Sequence, residues 1–167
     1  KASTQHFNLL LSYMEQLLAT PKKNQTTSAA ECLHQIAEAV HKRSLVVIFS
    51  DMADNLEGQE ELFAALQHLK HNQHEVILFH VNHKASELNF DFEQANRPHE
   101  FIDLETGERV KVRPSEIEDF YKKTMKKRFD ELKLKCGQYK IDFIEVDVEQ
   151  NIEQILYPYL IKRSKMR

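Results

Sequence analysis

Glycine is scarce in this chain. Gly58, Gly107 and Gly137 are the three that occur, and they lie far apart. No glycine-rich phosphate loop and no dinucleotide fingerprint can be assembled from them. Cysteine is rarer still. Cys32 and Cys136 alone exclude both a disulfide framework and a cysteine-rich zinc site. Tryptophan is missing. The longest uninterrupted apolar run is Leu45-Val46-Val47-Ile48-Phe49, far too short to cross a bilayer.

What is present is ordinary globular material. The 167 residues are 41% hydrophobic and 29% charged. That is enough to bury a core and points away from whole-chain disorder. A single domain over residues 1–167 is expected. The net charge of −3 is unevenly spread: +2 over residues 1–50, −8 over 51–112 and +3 over 113–167. The acidic middle disfavours nucleic acid and favours cations, so no nucleic-acid partner is expected. The basic tail Lys162, Arg163, Lys165 and Arg167 reads as a frayed, solubilising terminus. The early residues contain no signal-peptide pattern. Two thiols favour a reducing compartment.

Periodicity supplies the elements. Phe7, Leu10, Leu11, Met14, Leu17 and Leu18 recur at helical spacing. Ser3 or Thr4 can cap that helix and Pro21 stops it. Ser28 stands three residues before Glu31, a capping-box spacing. Ala29, Cys32, Leu33, Ile36 and Val40 would form the apolar face of this second helix. The run Leu45–Phe49 reads as a central parallel strand buried on both faces. Leu62, Phe63, Leu66 and Leu69 mark the next helix, and Glu75–Val81 the next strand. Strand, helix, strand in this order is a right-handed βαβ unit.

Residues 82–98 read as irregular. Phe101–Leu104 and Arg109–Val112 flank a hairpin turn with Gly107 where positive φ is needed. Pro114 opens a long helix at a position that tolerates proline. Its stripe is Ile117, Tyr121, Met125, Phe129, Leu132 and Cys136, with Gly137 as its stop. The runs Lys122-Lys123 and Lys126-Lys127-Arg128 fall opposite that stripe, on a solvated face. Ile141–Val148 is a third strand. Ile152–Leu160 is a last helix, interrupted or bent near Pro158. No internal repeat is visible.

The architecture implied is α/β, three-layered, with a short, mainly parallel sheet of about three strands, flanking helices and a small β-hairpin. Ligands of such sheets gather at the carboxyl ends of the strands. The polar residues there are Ser50, Asp51 and Asp54, then Asn82 and His83, then Asp147 and Glu149.

Two segments carry a resemblance. Arg43-Ser44-Leu45-Val46-Val47-Ile48-Phe49-Ser50-Asp51-Met52 resembles the strand and aspartate of a von Willebrand factor A-like domain. Glu100-Phe101-Ile102-Asp103-Leu104-Glu105-Thr106-Gly107-Glu108-Arg109 is more specific. It is similar to an uncharacterised bacterial von Willebrand A-like family, often encoded beside a MoxR-type AAA ATPase. His74–Val81, Tyr121 and the Ile141–Leu160 segment also fit. The resemblance implies a partial von Willebrand A-like, Rossmann-like fold, with this chain as the C-terminal part of a larger domain.

It further implies a metal-ion-dependent adhesion site. Thr27 matches the family's threonine and Asp51 its aspartate, while no Asp-x-Ser-x-Ser element occurs in the chain. Mg²⁺ or Mn²⁺ wants near-octahedral oxygen coordination, and two oxygens fall short of that. The intact domain could hold the ion, and this chain is expected to hold none. Ser50 and Asp54 are the neighbouring partner-binding candidates. The resemblance also implies a bacterial cytoplasmic protein, tied to the membrane in some members by an upstream segment.

The function so implied is protein–protein interaction, with a MoxR-type ATPase as partner and no catalytic residues. The alternative is a Mg-dependent hydrolase or phosphotransfer domain using Asp51. The nine histidines, including His80-x-x-His83 and the series His68, His71, His74, read as surface and loop residues. Cys136 reads as core. A strand lost upstream would leave Ser44–Ser50 as an exposed edge, through which two copies could dimerise.

Overall fold

The computed structural model describes residues 3–19, 28–52, 59–90, 96–103 and 107–165. The chain forms two compact units, one of residues 1–26 and 100–110, the other of residues 27–99 and 111–167. Thr27 and Asp54 lie outside the described residues.

The first unit contains helix α1 (Thr4–Ala19). Ser3 is its cap, with Oγ accepting from the His6 N–H at 3.2 Å. The unit also holds most of the hairpin formed by β3 (His99–Ile102) and β4 (Arg109–Val112). Gly107 adopts φ of 75°, as the turn requires, and its N–H bonds the Asp103 carbonyl at 2.9 Å.

The second unit is the α/β body. Its elements run α2 (Ala29–Ala39), β1 (Leu45–Ser50), α3 (Gln59–His71), β2 (Glu75–Asn82), α4 (Pro114–Gln138), β5 (Asp142–Asp147) and α5 (Ile152–Ser164). The three strands are parallel, in the order β1-β2-β5. A single π-helical turn, Lys84–Leu88, follows β2. No described helix is long and apolar enough to cross a membrane.

Alternation along the strands sorts two cores. On one face Val46, Val76 and Leu78 meet Ala30, Leu33 and Ala37 of α2, Leu62, Leu66 and Leu69 of α3, and Leu132 and Cys136 of α4. On the other, Ile77, Phe79 and Val146 meet Ile155 of α5. Each fully buried Leu removes enough apolar surface to contribute about 1.5–3 kcal/mol.

Several expectations need correction. Among the described residues the apolar run of β1 pairs with β2 alone, so it is the edge expected for Ser44–Ser50 and not a central strand. Val46 is buried, while Leu45, Val47 and Phe49 remain exposed. The central strand is β2, because it is the one with neighbours on both sides. A run apolar at every position shows that both faces can be buried, not that both are. The buried face of α2 is Ala30, Leu33 and Ala37, and Cys32 is exposed. Helix α5 continues through Pro158 without interruption. Its last turn is tied down rather than frayed: Lys162 Nζ lies 2.7 Å from Asp142, and the Arg163 guanidinium bonds both carboxylate oxygens of Glu75.

Gly137 does not end α4. The helix passes through it, and Lys140 takes the left-handed turn at φ 56°. The Ile141 N–H then bonds the Cys136 carbonyl at 2.8 Å, and the Lys140 N–H bonds that of Gly137 at 3.2 Å. Helix α3 ends in the same way at Gln73, φ 62°, with His74 N–H to Leu69 at 3.2 Å and Gln73 N–H to Lys70 at 2.9 Å. Both are Schellman motifs with a side chain where glycine is preferred. Left-handed φ costs a non-glycine residue roughly 1 kcal/mol. Gln73→Gly and Lys140→Gly should therefore each raise stability by about 0.5–1 kcal/mol, read as higher urea midpoints. A lower midpoint for either would show that the side chain contributes more than the turn costs.

Candidate functional site

The carboxyl ends of β1 and β2 lie side by side, with Ser50 in register with His80. Ser50 ends β1, and its Oγ accepts from the Met52 N–H at 3.0 Å. That bond supports a turn in which Met52 adopts φ of 51°. Asp51 is thereby presented at the surface. The family's threonine position, Thr27, and the candidate Asp54 fall outside the described residues.

Beside Asp51 lies a cavity of about 100 Å³ within the second unit. Asp51, Gln59, His80, Asn82, Glu87 and Arg128 supply its charged and hydrogen-bonding groups. Met52, Leu62, Phe63, Met125 and Phe129 supply apolar wall. The π-helical turn places Glu87, and α4 places Arg128 and Phe129. Arg128 is half-buried, so the basic run Lys126-Lys127-Arg128 is not wholly a solvated face. One helical step of about 100° separates a wall residue from an exposed neighbour.

His80 and Asn82 share one face of β2, two residues apart, and both are buried. The His80 ring packs against both Phe129 and Phe143, at centroid distances of 5.5 and 5.6 Å, and those two rings also touch each other. Its Nδ1 lies 3.3 Å from Asn82 Nδ2. Burial lowers its pKa below the ordinary 6.5, against the opposing pull of a hydrogen bond to the Asp51 backbone and the charges of Asp51, Glu87 and Glu145. The sign of the pH effect follows. Above pH 6.5 the ring is neutral whether folded or unfolded, and stability is full. Below 6.5 the unfolded chain takes up a proton that the folded chain resists, and stability is lost as pH falls through the folded pKa. His80→Phe should flatten the fall in urea midpoint between about pH 7.5 and 5. An unchanged slope would assign the acid sensitivity to other groups.

His6, His41 and His71 are exposed, as their spacing suggested, while three of the others are less superficial. His74 is buried, its Nδ1 accepting from the Ser44 N–H at 3.3 Å. His68 joins α3 to α2, 3.0 Å from His34 Nδ1 and 3.0 Å from Glu38. His83 caps the π-helical turn through Nδ1, which accepts from the Ser86 N–H at 3.2 Å. Its Nε2 lies 3.2 Å from Glu149. Asp147 accepts from the Glu149 N–H, so His83, Asp147 and Glu149 hold the β2 and β5 ends together. Tyr121 stacks near Phe90, with centroids 4.5 Å apart, and burial together with Glu87 pushes its phenol upward.

Among the described residues, no group of three or more His, Cys, Asp or Glu side chains converges on a point that could hold a metal ion. Comparison with protein-family models, with curated proteins and with solved structures returned no match.

Sequence reasoning found Ser50 and Asp51 as a strand end. It missed the pairing of His80 with Asn82, although two polar residues at i and i+2 near the end of an apolar strand were the available signal. Glu87 and Arg128 gave no local signal, because their meeting depends on the packing of α4.

Proposed function

We propose that the chain is a protein-interaction module of the von Willebrand factor A type, which docks its partner at the carboxyl ends of the parallel strands. A MoxR-type AAA ATPase is the partner that the sequence resemblance implies. The observation that carries the reading is the placement of Asp51. Its carboxylate is exposed at the end of β1, at the edge of a parallel sheet where ligands of this architecture gather. An exposed carboxylate there can pair with a basic side chain of the partner. No step of the proposal runs through a metal.

The test is calorimetric titration of the full chain with a MoxR-type AAA ATPase, with and without Mg²⁺. Asp51→Ala should weaken binding about tenfold, or 1.4 kcal/mol. Equal affinity for wild type and variant would refute the reading. Phosphate-ester turnover that Asp51→Ala abolishes would put the hydrolase alternative in its place.

A second copy of the chain is the proposed neighbour of β1. Among the described residues β1 pairs with β2 alone. Its outer edge carries no charge and no proline, the usual guards of an open edge. Antiparallel pairing of two β1 edges about a two-fold axis would continue the sheet and bring Leu45, Val47 and Phe49 of both copies onto one surface. Val47→Lys should convert a concentration-dependent dimer into a monomer in sedimentation. A wild-type monomer at high concentration would exclude the pairing.

A further inference from the structure

Two imidazoles meet nitrogen to nitrogen between α2 and α3. His34 stands on α2 and His68 on α3, and their Nδ1 atoms are 3.0 Å apart. The other ring nitrogen of His68, Nε2, lies 3.0 Å from the Glu38 carboxylate. Glu38 is about one helical turn beyond His34 on α2. One helix therefore supplies both polar neighbours of His68.

The chemistry of these groups places the protons. An ionised carboxylate can only accept, so neutral His68 carries its proton on Nε2. Its Nδ1 then offers a lone pair, and His34 donates to it from Nδ1. A single proton lies between the two nitrogens, and a metal ion can take its place. Once His34 carries its proton on Nε2 instead, both Nδ1 atoms face each other as lone pairs, and neither ring changes its charge. Zinc bonds imidazole nitrogen at about 2.0–2.1 Å, which sets two tetrahedral ligands about 3.3 Å apart. The separation of 3.0 Å is a small side-chain adjustment from that value.

The surroundings suit such an ion. A carboxylate on the far nitrogen is how proteins commonly orient a ligating imidazole and raise its basicity. Both rings stand on fixed helices rather than loops. Leu33 beside His34 and Leu69 beside His68 are buried in the core. One turn further on, Asn72 Nδ2 donates to the Ala37 carbonyl at 2.9 Å and ties α3 to α2. The His68 side chain is 28% exposed, so a hydrated ion can reach the pair.

We propose that His34 and His68 bind a divalent transition metal ion of the Zn²⁺ class through their Nδ1 atoms, with Glu38 as the positioning residue. Water fills the remaining tetrahedral positions. Imidazole suits Zn²⁺, Ni²⁺ and Cu²⁺, whereas Mg²⁺ takes oxygen. The ion would pin α2 to α3 and raise stability by mass action. Asp51 takes no part, so this inference and the docking reading can fail separately.

The experiment is calorimetric titration of the untagged full chain with ZnCl₂ at pH 7.5, with MgCl₂ as the control. A ¹H–¹⁵N spectrum of the histidine rings accompanies it. A dissociation constant on the order of 10 µM is expected for zinc, with large shifts at Nδ1 of both residues and no response to magnesium. His34→Gln and His68→Gln, at half-exposed helix positions, should each weaken binding at least tenfold. Glu38→Gln keeps both ligands and should weaken binding about tenfold. Cys32→Ser and His41→Gln remove an exposed thiol and an exposed imidazole and should bind as the wild type does. If a histidine variant does not fold, the Nδ1 shifts of the wild type decide the matter. No saturable binding at 1 mM zinc, on the order of a hundred times the expected constant, would overturn the proposal and leave the pair a hydrogen bond between helices. Unaltered affinity in either histidine variant would overturn it as well, as would shifts confined to Nε2. Unaltered affinity in Glu38→Gln would overturn the positioning role.

Discussion

Leu78→Ala should lower the stability of the chain by about 3–5 kcal/mol. Leu78 is fully buried in the central strand, on the face that α2, α3 and α4 cover. Removing its side chain loses the transfer energy of three carbons and leaves a cavity. Its strand is held by parallel neighbours on both sides, so the backbone cannot move in to fill the space. The loss is a large fraction of the stability of a small domain, about 5–15 kcal/mol. The measurement is urea unfolding followed by circular dichroism, with a lower midpoint at unchanged slope. Leu45→Ala on the exposed face of β1 is the control, and should cost under about 1 kcal/mol. Equal losses at the two positions would mean that the face under the three helices is not the principal core.

The two thiols should differ in reactivity by roughly a thousandfold or more. Cys32 is exposed on α2, whereas Cys136 is fully buried on α4 and burial pushes its thiol up to about 12. At pH 8 a group with that pKa is ionised to only about one part in ten thousand. Reagent must also wait for the helix to open. Ellman's reagent should titrate one thiol promptly in the native chain and two in denaturant. Cys32→Ser should leave none prompt. Two equal fast phases in the native chain would place Cys136 outside the core.

Much of the body was legible because local periodicity and turn chemistry agree. Ser28 caps α2 through the Glu31 N–H, Pro114 opens α4, and the stripe through Leu132 and Cys136 faces the core. What was not legible depends on neighbours. The run Leu45–Phe49 says nothing of whether a helix covers its second face, and here Leu45, Val47 and Phe49 stay exposed. The ends of α3 and α4 fall at Gln73 and Lys140, where hydrogen-bond closure overrides the preference for glycine. At the candidate site, Asp51 could be found from the strand end that precedes it. Arg128 could not, since its charge was indistinguishable from those of Lys126 and Lys127 until the packing of α4 was known.

The two matched helix ends also act as a phasing device. In each, the left-handed residue stands two positions before the first residue of the strand: Gln73 before Glu75, and Lys140 before Asp142. A strand alternates its side chains with a period of two, so its frame is set by where it starts. One residue inserted after Lys140 would exchange the faces of β5. Phe143 would leave the layer beneath α4, and Ile144 and Val146 would leave the layer beneath α5. The same two-residue offset precedes all three strands of the sheet, since Arg43 at φ 64° also stands two positions before Leu45, although no repeat in the amino-acid sequence marks it.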